Sequence, residues 1–273
     1  MSWGTLSQAA RDAAYNNSAA VAESARLVRE RNEESAVFRA AHAGHLDLAY
    51  GDAERTKWDL YPAASADSPC LVFIHGGYWQ MNRREDFAIF AEGFAANGWS
   101  VAMPGYSLAP EASLTQIVAE LRAALDWLAA HGLAHGVGLE QVIVSGWSAG
   151  GHLAALLLDH EIVRAGLAIS GVYELGPLRD TYLNAKLRLT DDEILALSPP
   201  RLAVVEKPLA IAYGTQELAA LVDDSRDFHA LRAAAHAPGA LIPVAGADHF
   251  TILRELRAAD GELVRAAESL LAR

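Results

Sequence analysis

Val142-Ile143-Val144-Ser145-Gly146-Trp147-Ser148-Ala149-Gly150-Gly151-His152-Leu153 is the stretch from which the architecture can be read. Its apolar opening has the composition of a buried strand and runs without a spacer into small residues around a serine. Glycines flanking Ser148 remove the Cβ clashes of a tight strand-to-helix turn, so the hydroxyl can stand exposed at the carboxyl end of a sheet. Gly151 to Asp159 then reads as a helix whose N-terminal amides and positive dipole end face that hydroxyl. This order of strand, turn and helix presents a nucleophile, and Ser148 is the first candidate for chemistry.

Outward from this turn the pattern repeats. Apolar runs at Leu71–Ile74, Val101–Met103, Val142–Val144, Leu167–Ile169, Leu209–Tyr213 and Leu241–Val244 alternate with helical segments such as Phe87–Ala96 and the Ile117, Leu121, Leu128 spacing. That alternation predicts an α/β fold with a mostly parallel central sheet and helices on both faces. Two further β-type runs, Leu46–Tyr50 and Lys57–Tyr61, flank Gly51-Asp52 and read as an antiparallel hairpin at the sheet edge. Residues 1–41 form a helical arm, Ala-, Glu- and Arg-rich from Thr5 onward and broken at Tyr15-Asn16-Asn17. An arm folded back over the pocket would bring that polar turn to the substrate. Residues 174–207 are too many for a simple crossover and carry a short helix at Asp191–Leu197 before Pro199-Pro200. Such an insertion sits over the carboxyl ends of the strands, where open parallel sheets bind ligands. The alternative is a surface excursion without functional contact.

The 273 residues, 52% of them hydrophobic, suffice for one large core, and no linker divides them, so residues 1–273 read as one domain. A formal net charge of −12 with scattered Lys and Arg argues against nucleic acid as a partner. The single cysteine, Cys70, lies in an apolar run and reads as a small buried hydrophobe. The N-terminus lacks the pattern of a secretory signal, and no apolar stretch approaches the ~20 residues that span a bilayer. The expectation is a cytoplasmic protein with a small-molecule substrate and no membrane partner.

A serine hydroxyl needs a base, and the base needs a carboxylate to hold its tautomer and stabilise the imidazolium. With the nucleophile in an early elbow, both partners follow it, each after a late strand. The last strand run ends at Val244 and continues Ala245-Gly246-Ala247-Asp248-His249, which makes His249 the base. His131 and His135 precede the nucleophile, His160 closes the elbow helix, and His229 and His236 belong to a helical surface stretch. Leu209–Tyr213 ends in Gly214-Thr215-Gln216-Glu217, so Glu217 is the acid, with Asp223 or Asp224 as fallback. Asp248 adjoins the base and would point away from it.

Acyl transfer also needs donors aimed at the oxygen that becomes negative. His75-Gly76-Gly77-Tyr78-Trp79 ends the first core strand, and its amides at Gly77 and Tyr78, with that of Ala149, are the expected oxyanion hole. His75 would brace this loop through its ring nitrogens. Trp79 and Trp147 are candidate substrate contacts, with core packing as the alternative.

These residues resemble the kynurenine formamidase (arylformamidase) branch of the α/β-hydrolases. The resemblance is carried by His75-Gly76-Gly77-Tyr78-Trp79-Gln80, Tyr106-Ser107-Leu108-Ala109-Pro110, Ser148-Ala149-Gly150 into His152-Leu153-Ala154-Ala155, and Ser170-Gly171-Val172-Tyr173-Glu174-Leu175. It extends to Tyr50-Gly51-Asp52, Asp59-Leu60-Tyr61, Leu189-Thr190 and Ser198-Pro199, and so covers most of the chain. It implies the α/β-hydrolase fold and hydrolysis of N-formylkynurenine or another N-acyl aromatic amine by Ser148, Glu217 and His249, without metal or cofactor. Relatives also cleave aryl and alkyl esters, so a carboxylesterase is the runner-up. Formamidases of this type often carry His where this chain has Trp147, and Asp where it has Glu217. A hydrolase fold reused as a receptor is the reading from another class. Related folds often dimerise, which leaves a homodimer open.

Overall fold

The computed structural model describes residues 3–272, and they form an eight-stranded sheet in the order β1-β2-β4-β3-β5-β6-β7-β8. Its strands are β1 (His45–Ala49), β2 (Lys57–Tyr61), β3 (Cys70–Ile74), β4 (Ser100–Pro104), β5 (Val142–Trp147), β6 (Val163–Ile169), β7 (Leu209–Gly214) and β8 (Leu241–Val244). Only β1 and β2 run antiparallel to their neighbours. The central strands read as continuous apolar runs because both of their faces are covered. Every residue of β3, β4, β5 and β7 is buried, whereas edge strand β1 has no fully buried position. With eight strands closed off by a hairpin on one edge and by the short β8 on the other, this is the α/β-hydrolase fold.

Helices cover the two faces. The arm comprises α1 (Gln8–Ala13), α2 (Asn17–Ala20) and α3 (Ser24–Ala41), and α4 (Glu92–Ala96) follows a 3-10 segment at Arg84–Ala91. Next come α5 (Leu114–His131), α6 (Ala149–Leu156), α7 (Asn184–Leu187), α8 (Asp191–Leu197), α9 (Ala219–Ala234) and α10 (Glu262–Leu271). One core packs α5, α6, α8 and α9 against the sheet, and the other packs α3, the 84–91 segment, α4 and α10. In α10, Leu263, Val264, Ala267 and Leu270 make a single buried stripe. Each fully buried leucine there contributes roughly 1.5–3 kcal/mol.

The arm breaks where the sequence predicts, because Asn16 caps α2 by accepting from the Ala19 amide at 3.1 Å. A buried ion cluster then fastens α3 to the sheet: Asp59 of β2 accepts from Arg39 at 2.9 Å and faces Arg84 at 3.2 Å. The segment expected as a helix from Phe87 instead starts at Arg84 as a 3-10 turn and becomes α-helical only at Glu92.

Strand order sets the position of the site. From β3 the chain steps to β4 on one side, and β5 returns to the other side of β3. The loops leaving β3 and β5 therefore diverge, and a crevice opens between their carboxyl ends.

Candidate active site

The two loops flanking this crevice are His75–Trp79 after β3 and the Ser148 turn after β5. Ser148 has φ 58° and ψ −119°, a left-handed conformation that costs a non-glycine residue roughly 1–3 kcal/mol. Because the reversal is completed within that one residue, α6 starts at Ala149 and ends at Leu156, two residues earlier at its start than the sequence reading from Gly151. A Cβ on Gly150 would lie 2.0 Å from the carbonyl oxygen of Ile74, which is why the turn needs glycine there.

Ser148 Oγ lies 3.1 Å from Nε2 of His249, and Nδ1 of the same ring lies 2.8 Å from Oε2 of Glu217. A carboxylate only accepts, so Nδ1 carries the proton and Nε2 is left as the acceptor for the serine hydroxyl. The other carboxylate oxygen of Glu217 accepts from Ser170 Oγ at 2.5 Å and from the Gly214 amide at 2.7 Å. Three donors thus hold the carboxylate, and its side chain is fully buried. The separation of acid and base is fixed by the loops themselves. The Gln216 amide donates to Ala247 O at 2.9 Å, and the Gly246 amide to Thr215 Oγ1 at 2.8 Å.

The fallback acids lie elsewhere. Asp223 is exposed on α9. Asp224 accepts from the main-chain amides of Tyr173 and Glu174, at 2.5 and 3.2 Å, and so braces the loop after β6. Burial raises its carboxyl to about 7, far above the usual carboxylate range. Asp248 accepts from the amides of Phe250 and Thr251 and caps the turn beyond the histidine.

Gly77, Tyr78 and Ala149 sit on the two sides of the crevice, and among the described residues their amides donate to no protein acceptor. Gly77, Tyr78 and Trp79 all have positive φ, at 120°, 49° and 57°. A run of three such residues needs external support, and it has three supports. The Tyr78 hydroxyl donates to Tyr15 O at 2.7 Å and accepts from Asn17 Nδ2 at 3.1 Å, which fastens the loop to the arm. Asn82 Nδ2 donates to Gly76 O at 3.1 Å. Gln80 Nε2 donates to Leu183 O at 3.0 Å, which ties the loop to the insertion.

His75 braces the loop as its position suggests: Nδ1 donates to Gly76 O at 2.9 Å, and its ring stacks on Tyr106 at 4.2 Å. Burial pushes its pKa down to about 3, so it is neutral. His152, lowered by burial to about 4, donates Nε2–H to Leu197 O at 2.7 Å and joins α6 to α8.

Trp79 and Trp147, the candidate substrate contacts, are both buried in packing. Trp79 is 0% exposed, with its ring edge-on to His152 at 5.0 Å. Trp147 donates Nε1–H to His249 O at 2.7 Å and lies against the imidazole. Sequence reasoning brought the Tyr15-Asn16-Asn17 turn toward the pocket as a substrate contact, whereas Tyr15 and Asn17 hold the Tyr78 hydroxyl, and it missed Ser170 and Asn82 as supports of the site. Of the two missed, Ser170 carried a usable signal, a polar residue closing a buried strand beside the strand that bears the acid.

The BD-FAE family model matches residues 58–161, a span that contains both crevice loops. A kynurenine formamidase from Danio rerio is 28% identical over 227 residues, covering 77% of this chain and 76% of that protein. An esterase from Gibberella moniliformis (strain M3125 / FGSC 7600) is 26% identical over 116 residues, covering 42% of this chain and 36% of that protein. A crystal structure from Silicibacter sp. tm1040, provisionally called a thioesterase, superposes with a TM-score of 0.83 at 28% identity, covering 94% of this chain and 98% of that one. Fold, site and relatives together define an α/β-hydrolase, and the chain is a hydrolytic enzyme. More narrowly, it resembles the kynurenine formamidases, with relatives in Danio rerio and Salmo salar each 28% identical over more than three quarters of this chain. Among the described residues no helix is long and apolar enough to cross a membrane.

Proposed function

We propose that this chain is an arylformamidase, cleaving N-formylkynurenine or a related N-acyl aromatic amine through an acyl-enzyme on Ser148. The observation that carries the reading is the position of His249, within hydrogen-bond distance of both Ser148 Oγ and Glu217. Ser148 Oγ attacks the carbonyl carbon while His249 Nε2 takes its proton, and Glu217 stabilises the resulting imidazolium. The amides of Gly77, Tyr78 and Ala149 hold the oxygen that becomes negative, each worth about 3–4 kcal/mol in hydrolases of this kind. The imidazolium then protonates the leaving nitrogen, the C–N bond breaks, and water activated by the same ring releases the acid. An aryl amine is weakly basic and departs readily once protonated. The substrate class is supported by the kynurenine formamidase from Danio rerio, which matches this chain over most of both lengths.

A carboxylesterase is the second reading, favoured by the match to the Gibberella moniliformis esterase. Turnover of N-formylkynurenine, N-acylanthranilates and short p-nitrophenyl esters, measured side by side with Ser148→Ala as control, separates the two. An arylformamidase turns over the formamide most efficiently. Esters exceeding every amide by orders of magnitude in kcat/KM would overturn the first reading.

A further inference from the structure

Arg31 of α3 is only 7% exposed, yet its guanidinium meets neutral partners alone. Nε and Nη2 donate to Asn32 Oδ1 at 3.0 and 2.8 Å, and Nη2 reaches Asn82 Oδ1 at 3.4 Å. The guanidinium carbon stands 4.0 Å from the ring centroid of Phe87. Among the described residues Arg31 forms no ion pair; Asp86, whose charge it feels, lies 3.7 Å from Arg83. Burial pushes the guanidinium down to about 10, partly offset by Asp86, which leaves it cationic at neutral pH with no carboxylate in contact among the described residues. A buried charge in that state is costly, and an incoming anion would offset the cost.

Arg31 lines a cavity of about 140 Å3 whose apolar walls include Leu27, Val28, Phe90, Trp147 and Phe250. The acids at this cavity are already engaged, Glu30 with Arg26 at 2.5 Å and Glu34 with Arg257 at 2.7 Å. Exposed Arg254 adds a second cation that makes no ion pair among the described residues. Arg26 also pairs with Glu23 and Arg257 with Glu92, so Arg31 and Arg254 are the cations lining this pocket that have no ion-pair partner among the described residues. An apolar cavity of about 150 Å3 holds one benzene ring, so the space suits a single small ring or a short alkyl chain.

We propose that this cavity is a second small-molecule site, taking a monocarboxylate with a flat aromatic or short alkyl body. The carboxylate pairs with Arg31, and the body lies against Trp147, Phe90 and Phe250. None of Ser148, Glu217, His249, Gly77, Tyr78 and Ala149 lines this cavity, and Trp147, which does, donates its indole N–H to the main-chain oxygen of His249. This assignment goes beyond the proposed hydrolysis and does not depend on it.

The test is calorimetric titration of the full chain at pH 7 with benzoate, neutral benzamide and cationic benzylammonium, after Ser148 has been blocked by a small phosphonate. Benzoate should bind saturably, benzamide at least tenfold more weakly, and benzylammonium not at all. Arg31→Met should weaken benzoate at least tenfold. Val28→Phe, which fills the cavity from half-exposed α3 and keeps the guanidinium, should do the same, and it carries the test if Arg31→Met fails to fold. Absence of benzoate binding to the blocked protein, equal binding of all three probes, or benzoate binding unchanged in Val28→Phe would each overturn the proposal.

Discussion

The indole N–H of Trp147 donates to the main-chain oxygen of His249 at 2.7 Å, and the two rings lie 4.7 Å apart. The residue before the nucleophile thus holds the residue that would serve as its base, although 101 positions separate Ser148 from His249 in sequence. Trp147 is consequently a positioning residue. Trp147→Phe keeps the ring packing and removes the donor, a loss of about 1 kcal/mol. We expect kcat to fall several-fold with KM little changed, as measured on the best formamide or ester substrate.

Glu217 and Asp224 both lie after β7, but only Glu217 reaches the histidine. Glu217→Gln keeps the shape and removes the charge that fixes the imidazole tautomer. Comparable changes elsewhere reduce kcat by about 10⁴. Asp224→Asn should retain most of the turnover, because its carboxylate serves only main-chain amides. Full activity in Glu217→Gln would assign the acid elsewhere.

Asp224 also predicts a pH dependence of stability. Its folded carboxyl is raised to about 7 from the usual 3.8, so the folded state binds the proton more tightly than the unfolded chain does. The stability tied to that proton is complete below pH ~4 and is lost as the pH rises to about 7. The melting temperature of Asp224→Asn, measured relative to the parent protein, should therefore become more favourable as the pH rises across this window. A difference independent of pH would show that the carboxyl titrates normally.

The Tyr78 hydroxyl joins the arm to the loop that carries two of the three proposed oxyanion amides. Tyr78→Phe leaves Tyr15 O and Asn17 Nδ2 without this partner, at a cost of roughly 1–3 kcal/mol. It also frees a main chain held at positive φ. Deletion of the residues before Val21 removes the same anchor. Both changes should lower kcat by about tenfold or more, a drop equivalent to part of one oxyanion donor. Unchanged kinetics in both variants would mean that the loop holds its shape without the arm.

Gly150→Ala places a Cβ 2.0 Å from Ile74 O, a main-chain atom that cannot move without parting β3 from β5. This variant should be poorly folded by circular dichroism. Gly4→Ala, which meets nothing within 4 Å, should melt like the parent.

Much of this molecule is encoded in short stretches. Alternating apolar runs fixed the sheet because a strand buried on both faces has few polar positions, and α8 falls on Asp191–Leu197 because Thr190 and Glu193 form a local capping box. Ser148, Glu217 and His249 were legible for a related reason, since each lies directly after a strand run and the carboxyl ends of parallel strands gather at one rim. The supports were not. Tyr15 and Tyr78 are 63 residues apart, and Ser170 and Glu217 are 47 apart. The Tyr15-Asn16-Asn17 turn is visible in the sequence, but neither pairing leaves a periodicity that names its partner, so packing alone decides which polar groups meet. The same holds for the two tryptophans beside the site, where aromatic composition marks a large apolar surface and only the assembled core determines whether that surface faces a ligand or another side chain.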